Sequence, residues 1–143
     1  MKYELNQAFF NEICDQYTKT NSFTDVLVKN KVTTHTLMFI LTLKEQLKNL
    51  TDDEEYDKHL NVMLQRYQFL ETSEISHNLK ISTEEVNKIT NEYLSASSLY
   101  RNLSDVYNTV RYNHNSGYDA ESISESLFIS KETVDRLITL FNK

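Results

Sequence analysis

Ile75-Ser-His-Asn-Leu-Lys-Ile-Ser-Thr-Glu-Glu-Val86 and Ile123-Ser-Glu-Ser-Leu-Phe-Ile-Ser-Lys-Glu-Thr-Val134 are two copies of one pattern, offset by 48 residues. Seven positions are identical: Ile75/Ile123, Ser76/Ser124, Leu79/Leu127, Ile81/Ile129, Ser82/Ser130, Glu84/Glu132 and Val86/Val134. At an offset of 49 a fainter third copy precedes them, with Val26, Val32, Thr33 and Leu37 in the places of Ile75, Ile81, Ser82 and Val86. Asn30 stands there where the other two have Leu. Self-similarity at a fixed period is the signature of a repeated structural unit.

Each copy follows a stretch with apolar residues at i, i+3, i+4 and i+7, the spacing of a helix with one buried face. The stretches carry Phe9, Phe10, Ile13 and Tyr17; then Leu60, Met63, Leu64, Tyr67 and Leu70; then Leu99, Leu103, Val106, Tyr107 and Val110. Helix starts are marked by Thr51-x-x-Glu54 and Ser82-x-x-Glu85, which read as capping boxes, and by Asp119 and Ser130. Gly117 suits a helix end that needs positive φ. The pattern predicts three units, 1–50, 51–97 and 98–143, each a long helix followed by a short helix, a turn and another helix.

Composition agrees with an all-α fold of tandem units. The 143 residues, 39% of them hydrophobic, amount to one compact domain. One Gly and no Pro leave little material for hairpin turns. They also exclude glycine-rich phosphate loops. The single cysteine, Cys14, excludes an internal disulfide framework and a CxxC metal site. His35, His59, His77 and His114 show no paired ligand spacing and read as surface or capping histidines. No nucleophile–base or paired-carboxylate arrangement emerges from spacing, so neither an enzyme nor a cofactor is expected. Met1-Lys-Tyr-Glu lacks the apolar run of a signal peptide, and Leu37–Leu43 is too short to span a bilayer. A cytoplasmic protein is expected. Fourteen Asn and nine Tyr against three Ala suggest an AT-rich bacterial or phage genome.

The net charge of −6 is unevenly spread. Residues 1–50 carry six Lys against five acids; residues 51–97 carry four basic residues against ten acids; residues 98–143 carry five against six. All the net negative charge therefore sits in the middle unit. That field opposes general nucleic-acid binding, which draws most of its affinity from phosphate neutralisation.

The stretch Ile123–Ile138 resembles the helix-turn-helix of bacterial DNA-binding regulators, and Ser73–Leu94 carries a similar one. In this pattern Ile123 and Leu127 form the inner face of the first helix, Ile129 plugs the turn and Ser130 caps the second helix. Val134, Leu137 and Ile138 then pack that helix back. The turn usually holds Gly, where Lys80 and Phe128 stand here; a side chain in the left-handed region costs on the order of 1 kcal/mol. The resemblance implies a regulator that reads the major groove of double-stranded DNA with Lys131, Thr133 and Arg136, Ser130 lying near a phosphate. Arg111 adds a second basic point. Among the four arginines, Arg101, Arg111 and Arg136 all lie in the last third. The apolar segment containing Leu37, Met38 and Phe39 reads as core or as the seam of a homodimer, which would supply two half-sites.

A different class of function competes. The acidic middle unit, with Glu84 and Glu85 opening its last helix, suits a protein-binding inhibitor or adaptor from a phage or mobile element. It would dock on a basic surface of a host nucleic-acid-binding machine. A further option is RNA: Tyr107–Tyr118 interleaves aromatic residues with Arg111 and His114, which can stack on unpaired bases.

Overall fold

The computed structural model describes residues 5–95 and 97–142. Met1–Glu4, read above for a leader, lie outside the described residues, as do Ala96 and Lys143. The described residues form helices in three successive triplets and no strand. The first triplet is α1 (Gln7–Thr20), α2 (Phe23–Asn30) and α3 (Thr34–Leu47). The second is α4 (Asp53–Tyr67), α5 (Thr72–Leu79) and α6 (Thr83–Leu94). The third is α7 (Ser97–Asn115), α8 (Ala120–Leu127) and α9 (Lys131–Phe141).

Two left-handed residues articulate each triplet. The second joint, between the short helix and the last one, holds Lys31 (φ 54°), Lys80 (φ 58°) and Phe128 (φ 55°). These are the turn positions of the repeat read from sequence. The first joint holds Asn21 (φ 50°), Phe69 (φ 59°) and Gly117 (φ 97°), again spaced by 48 residues. All the positive-φ residues among those described fall at these two places. The first joint escaped the sequence reading because three unlike residues occupy it. Backbone bonds shared with the glycine joint explain why a residue as bulky as Phe69 is tolerated there. Phe69 N–H donates to Arg66 O (2.9 Å) and Leu70 N–H to Gln65 O (3.2 Å), closing the end of α4. Gly117 N–H donates to His114 O (3.1 Å) and Tyr118 N–H to Asn113 O (3.2 Å), which closes α7 in the same way.

The repeated serines have a matching task at the second joint. Ser76 Oγ donates to Ile81 O (2.5 Å) and Ser124 Oγ to Ile129 O (2.6 Å), clasping the turn around the left-handed residue. The first unit has Leu27 in that place, and there Asn30 holds the turn instead. Its amide donates to Val26 O (2.8 Å) and to Gln16 Oε1 on α1 (2.7 Å). Phe128 is 44% exposed, so little packing offsets its backbone strain. Phe128→Gly is therefore expected to stabilise the protein by about 0.5–1 kcal/mol. A lowered thermal midpoint would show that the Phe128 ring contributes more than its conformation costs.

Capping follows the sequence signals with two shifts. Asp119 and Ser130 cap α8 and α9 as expected, through bonds to Ser122 N and Thr133 N. Helix α4 starts one residue late: Asp52, rather than Thr51, is its cap and accepts from Glu55 N (2.9 Å). A carboxylate at that position is also favoured by the helix dipole. Ser82 caps α6 through Glu85 N, but the Glu85 carboxylate turns away to Lys58 instead of returning to the cap.

One continuous apolar core runs through all three triplets. Helix α3 sits at its centre, packed by α1, α4 and α7. This enclosure explains the all-round apolar character of Leu37–Leu43: Leu37, Phe39, Ile40 and Leu43 are fully buried. Leu37 and Phe39 are thus core residues, unavailable to a dimer seam, and of the three interface candidates only Met38 reaches the surface. Among the described residues no helix is long and apolar enough to cross a membrane.

Candidate functional site

The hairpin α8–α9 is the one the sequence assigned to DNA, and its side chains are largely engaged within the protein. Ser130 Oγ accepts from Thr133 N (3.1 Å) and donates to Thr133 Oγ1 (2.9 Å). Thr133 is only 4% exposed, facing a crevice shared with Leu5, Tyr67, Gln68 and Ile129. It cannot reach a base edge, because α9 turns this side toward the α4 end as well as toward its own unit. Arg136 Nη1 lies 3.2 and 3.1 Å from the two carboxylate oxygens of Glu74 on α5. Glu74 is itself oriented by Glu71 N–H (3.1 Å), and this backbone bond, then Arg136, lowers its pKa. Arg136 therefore ties the third unit to the second, on the wall of a cleft of about 250 Å³ that also includes Phe69, Thr139 and Leu140. Lys131 is exposed and lies 3.7 Å from Asp135. The outward face of α9 thus presents Lys131 beside Glu132 and Asp135, with no cationic excess.

The acidic residues make a more coherent surface. The run Asp52–Glu55 opens α4, and Glu84 and Glu85 open α6; α4 packs on α6, so the two starts come together. Lys58 fastens them, with Nζ 2.9 Å from Glu55 Oε1 and 2.9 Å from Glu85 Oε2. Glu85, then Glu55, raises the Lys58 pKa; the hydrogen bond from Lys58 in turn is the main cause that lowers that of Glu55. Asp52, Asp53, Glu54, Asp57 and Glu84 remain exposed around this junction. Glu54, Glu55, Asp57 and Lys58 border an open groove of about 340 Å³ with Asn61, Leu79 and Ile81. Sequence spacing had treated the two carboxylate runs separately, since some thirty residues divide them.

The remaining candidates divide between core and surface. Arg111 is exposed on α7. The aromatic segment around it splits: Tyr107 packs edge-on against Phe141 (5.1 Å between centroids) and His114 lies 6.0 Å from the same ring, while Tyr112 and Tyr118 face outward. His59 is not a surface histidine. It is buried, with Nδ1 2.7 Å from the Tyr93 hydroxyl and Nε2 3.3 Å from Glu55. Burial pushes the Tyr93 hydroxyl up to about 12. Cys14 is buried and its thiol is pushed up to about 11, first by desolvation, as expected for a small hydrophobe. Among the described residues no group of three or more His, Cys, Asp or Glu could hold a metal ion.

Arg66 carries a role that sequence reading missed. Its Nε donates to Thr90 Oγ1 (2.8 Å) and Nη2 to Thr72 Oγ1 (2.7 Å), joining α4 to α5 and α6. Only the approach of three helices, not any local motif, marks it.

Comparison with known proteins returned no match: no protein-family model fits the chain, and no curated protein or solved structure is significantly similar to it.

Proposed function

We propose that the chain is a cytoplasmic protein-binding module, an inhibitor or adaptor whose acidic middle unit docks on a basic, nucleic-acid-handling surface of another protein. The carrying observation is the junction at Lys58. It merges the carboxylates that open α4 and α6 into one surface, and the lysine at the junction is already paired with Glu55 and Glu85. A rigid anionic surface steers a basic partner and repels duplex DNA. The three helix-turn-helix hairpins act in this reading as scaffold: the repeat places α6 beside α4, and so the carboxylates beside one another.

The test compares the native chain with a Glu54→Lys/Glu84→Lys variant. Both side chains are exposed, so circular dichroism should be unchanged. Quantitative capture from host lysate should show a basic partner retained by the native chain and reduced at least tenfold by charge reversal, with binding that weakens as salt rises. Partner capture indifferent to the reversal would overturn the proposal.

A second reading keeps double-stranded DNA as the ligand of a dimeric transcriptional regulator. It is favoured by the recurrence of the hairpin itself and by the exposure of Lys131 at the start of α9. It requires Arg136 to leave Glu74. Selection from a random duplex pool at low salt decides it: an enriched motif that is lost in a Lys131→Ala/Arg136→Ala variant would establish the DNA reading in place of the acidic-surface one.

A further inference from the structure

We infer that the outer face of α7 is a docking surface for single-stranded RNA, a function separate from the acidic surface of the middle unit. The four arginines are used in two different ways. Arg66 is held by Thr90 and Thr72, and Arg136 by Glu74. Arg101 and Arg111 are exposed on α7, and among the described residues neither has a hydrogen-bond or ion-pair partner. The helix therefore presents two guanidinium groups to solvent on a protein whose net charge is −6.

Their neighbours on the helix are of matching character. At 3.6 residues per turn, Tyr100, Arg101, Asn108, Arg111, Tyr112 and Asn115 share one face roughly 120° wide. Tyr100 is 60% exposed and Tyr112 72%, two of the most exposed large side chains of the protein. From Tyr100 to Tyr112 the helix rises about 18 Å, enough to follow several nucleotides. Asp105, at the edge of this face and four residues after Arg101, lies 3.9 Å from His35 Nδ1, and among the described residues no carboxylate pairs with either arginine. Opposite this face, Leu99, Val106 and Val110 are buried in the core, which gives the exposed side chains a rigid base.

The chemistry that fits is an anionic strand with free base faces. Tyrosine rings stack on unpaired bases and guanidinium groups pair with phosphates, whereas a duplex hides its bases from both. Asn108 and Asn115 supply amide donors and acceptors for the 2′-hydroxyls, the groups that separate RNA from DNA. The charge of the face complements the strand, while the acidic middle unit repels any longer run of phosphates. The surface is thus suited to a short unpaired segment.

The test is fluorescence anisotropy with a labelled single-stranded RNA of about ten nucleotides, beside the same sequence as DNA and as duplex RNA. The single strand should bind best. The logarithm of affinity should fall with log salt at a slope of about −1.4, as expected for two neutralised phosphates. Arg101→Gln/Arg111→Gln should flatten that slope, and Tyr100→Ala/Tyr112→Ala should weaken binding at least about tenfold. The chain has no Trp, so quenching of its tyrosine emission on titration reports stacking directly, and it should shrink in the tyrosine variant. All four side chains are exposed, so these variants keep the fold. Undetectable binding, binding that neither pair alters, or equal affinity for DNA or duplex would overturn the inference.

Discussion

Phe39→Ala should remove about 3–5 kcal/mol of stability, a large part of the 5–15 kcal/mol that holds an ordinary domain together. Phe39 has no exposed surface, and its ring lies 4.6 Å from that of Tyr67. Tyr67 is itself anchored, with its hydroxyl 2.6 Å from Thr36 Oγ1. Helices α3 and α4 are therefore locked together at this ring, and neither can collapse freely into the cavity its loss leaves. Urea denaturation should show a lower midpoint with an unchanged slope. Met38→Ala is the control. Its side chain is the adjacent one but emerges at the surface, and it should cost no more than about 0.5 kcal/mol. Comparable losses at 38 and 39 would mean that α3 is not enclosed by α1, α4 and α7.

Arg66→Met should cost about 2 kcal/mol. The guanidinium is half-buried, and desolvation lowers its pKa; it nevertheless makes its hydrogen bonds to Thr90 and Thr72 and a longer one to Leu70 O (3.4 Å). Charge-assisted bonds of this kind contribute about 1.5–3 kcal/mol each before partial exposure is discounted. Methionine keeps the apolar stem but leaves Thr72 Oγ1 and Leu70 O without their donor. Arg66→Lys should recover little, since one ammonium cannot reproduce a planar fork spread across four acceptors, the fourth being Asn87 Oδ1 at 3.4 Å. Thermal unfolding of both variants checks this, and full recovery by lysine would show that charge alone, rather than the fork, joins the helices.

Local signals in the chain were strong where the physics is local. The repeat register located the left-handed joints at Lys80 and Phe128, because the apolar plugs Ile81 and Ile129 and the caps Ser82 and Ser130 flank each turn. Helical periodicity identified the buried faces of α1, α4 and α7 through residues such as Ile13, Met63 and Val110. The first joint was different. Asn21, Phe69 and Gly117 share a conformation without sharing chemistry, so only Gly117 could be read in advance.

The candidate site depended on longer distances. The sequence showed that Arg136 lies on the polar side of α9, but not that Glu74 waits 62 residues upstream to pair with it. Likewise, it marked two acidic helix starts without showing that Lys58 would merge them. Thr133 was misplaced for the same reason, and the sequence left Phe39 open between core and seam.

By itself, then, the sequence determined the all-helical class, the threefold unit and the left-handed turn before the last helix of the second and third units. Those follow from backbone sterics, capping and the periodic placement of apolar residues, all of which act within a few positions along the chain. Only the tertiary structure decided which cations are neutralised, which apolar helix is enclosed and which face of α7 stays open. Each of those depends on the docking of one triplet against another, and periodicity specifies that a face must be covered without specifying what covers it.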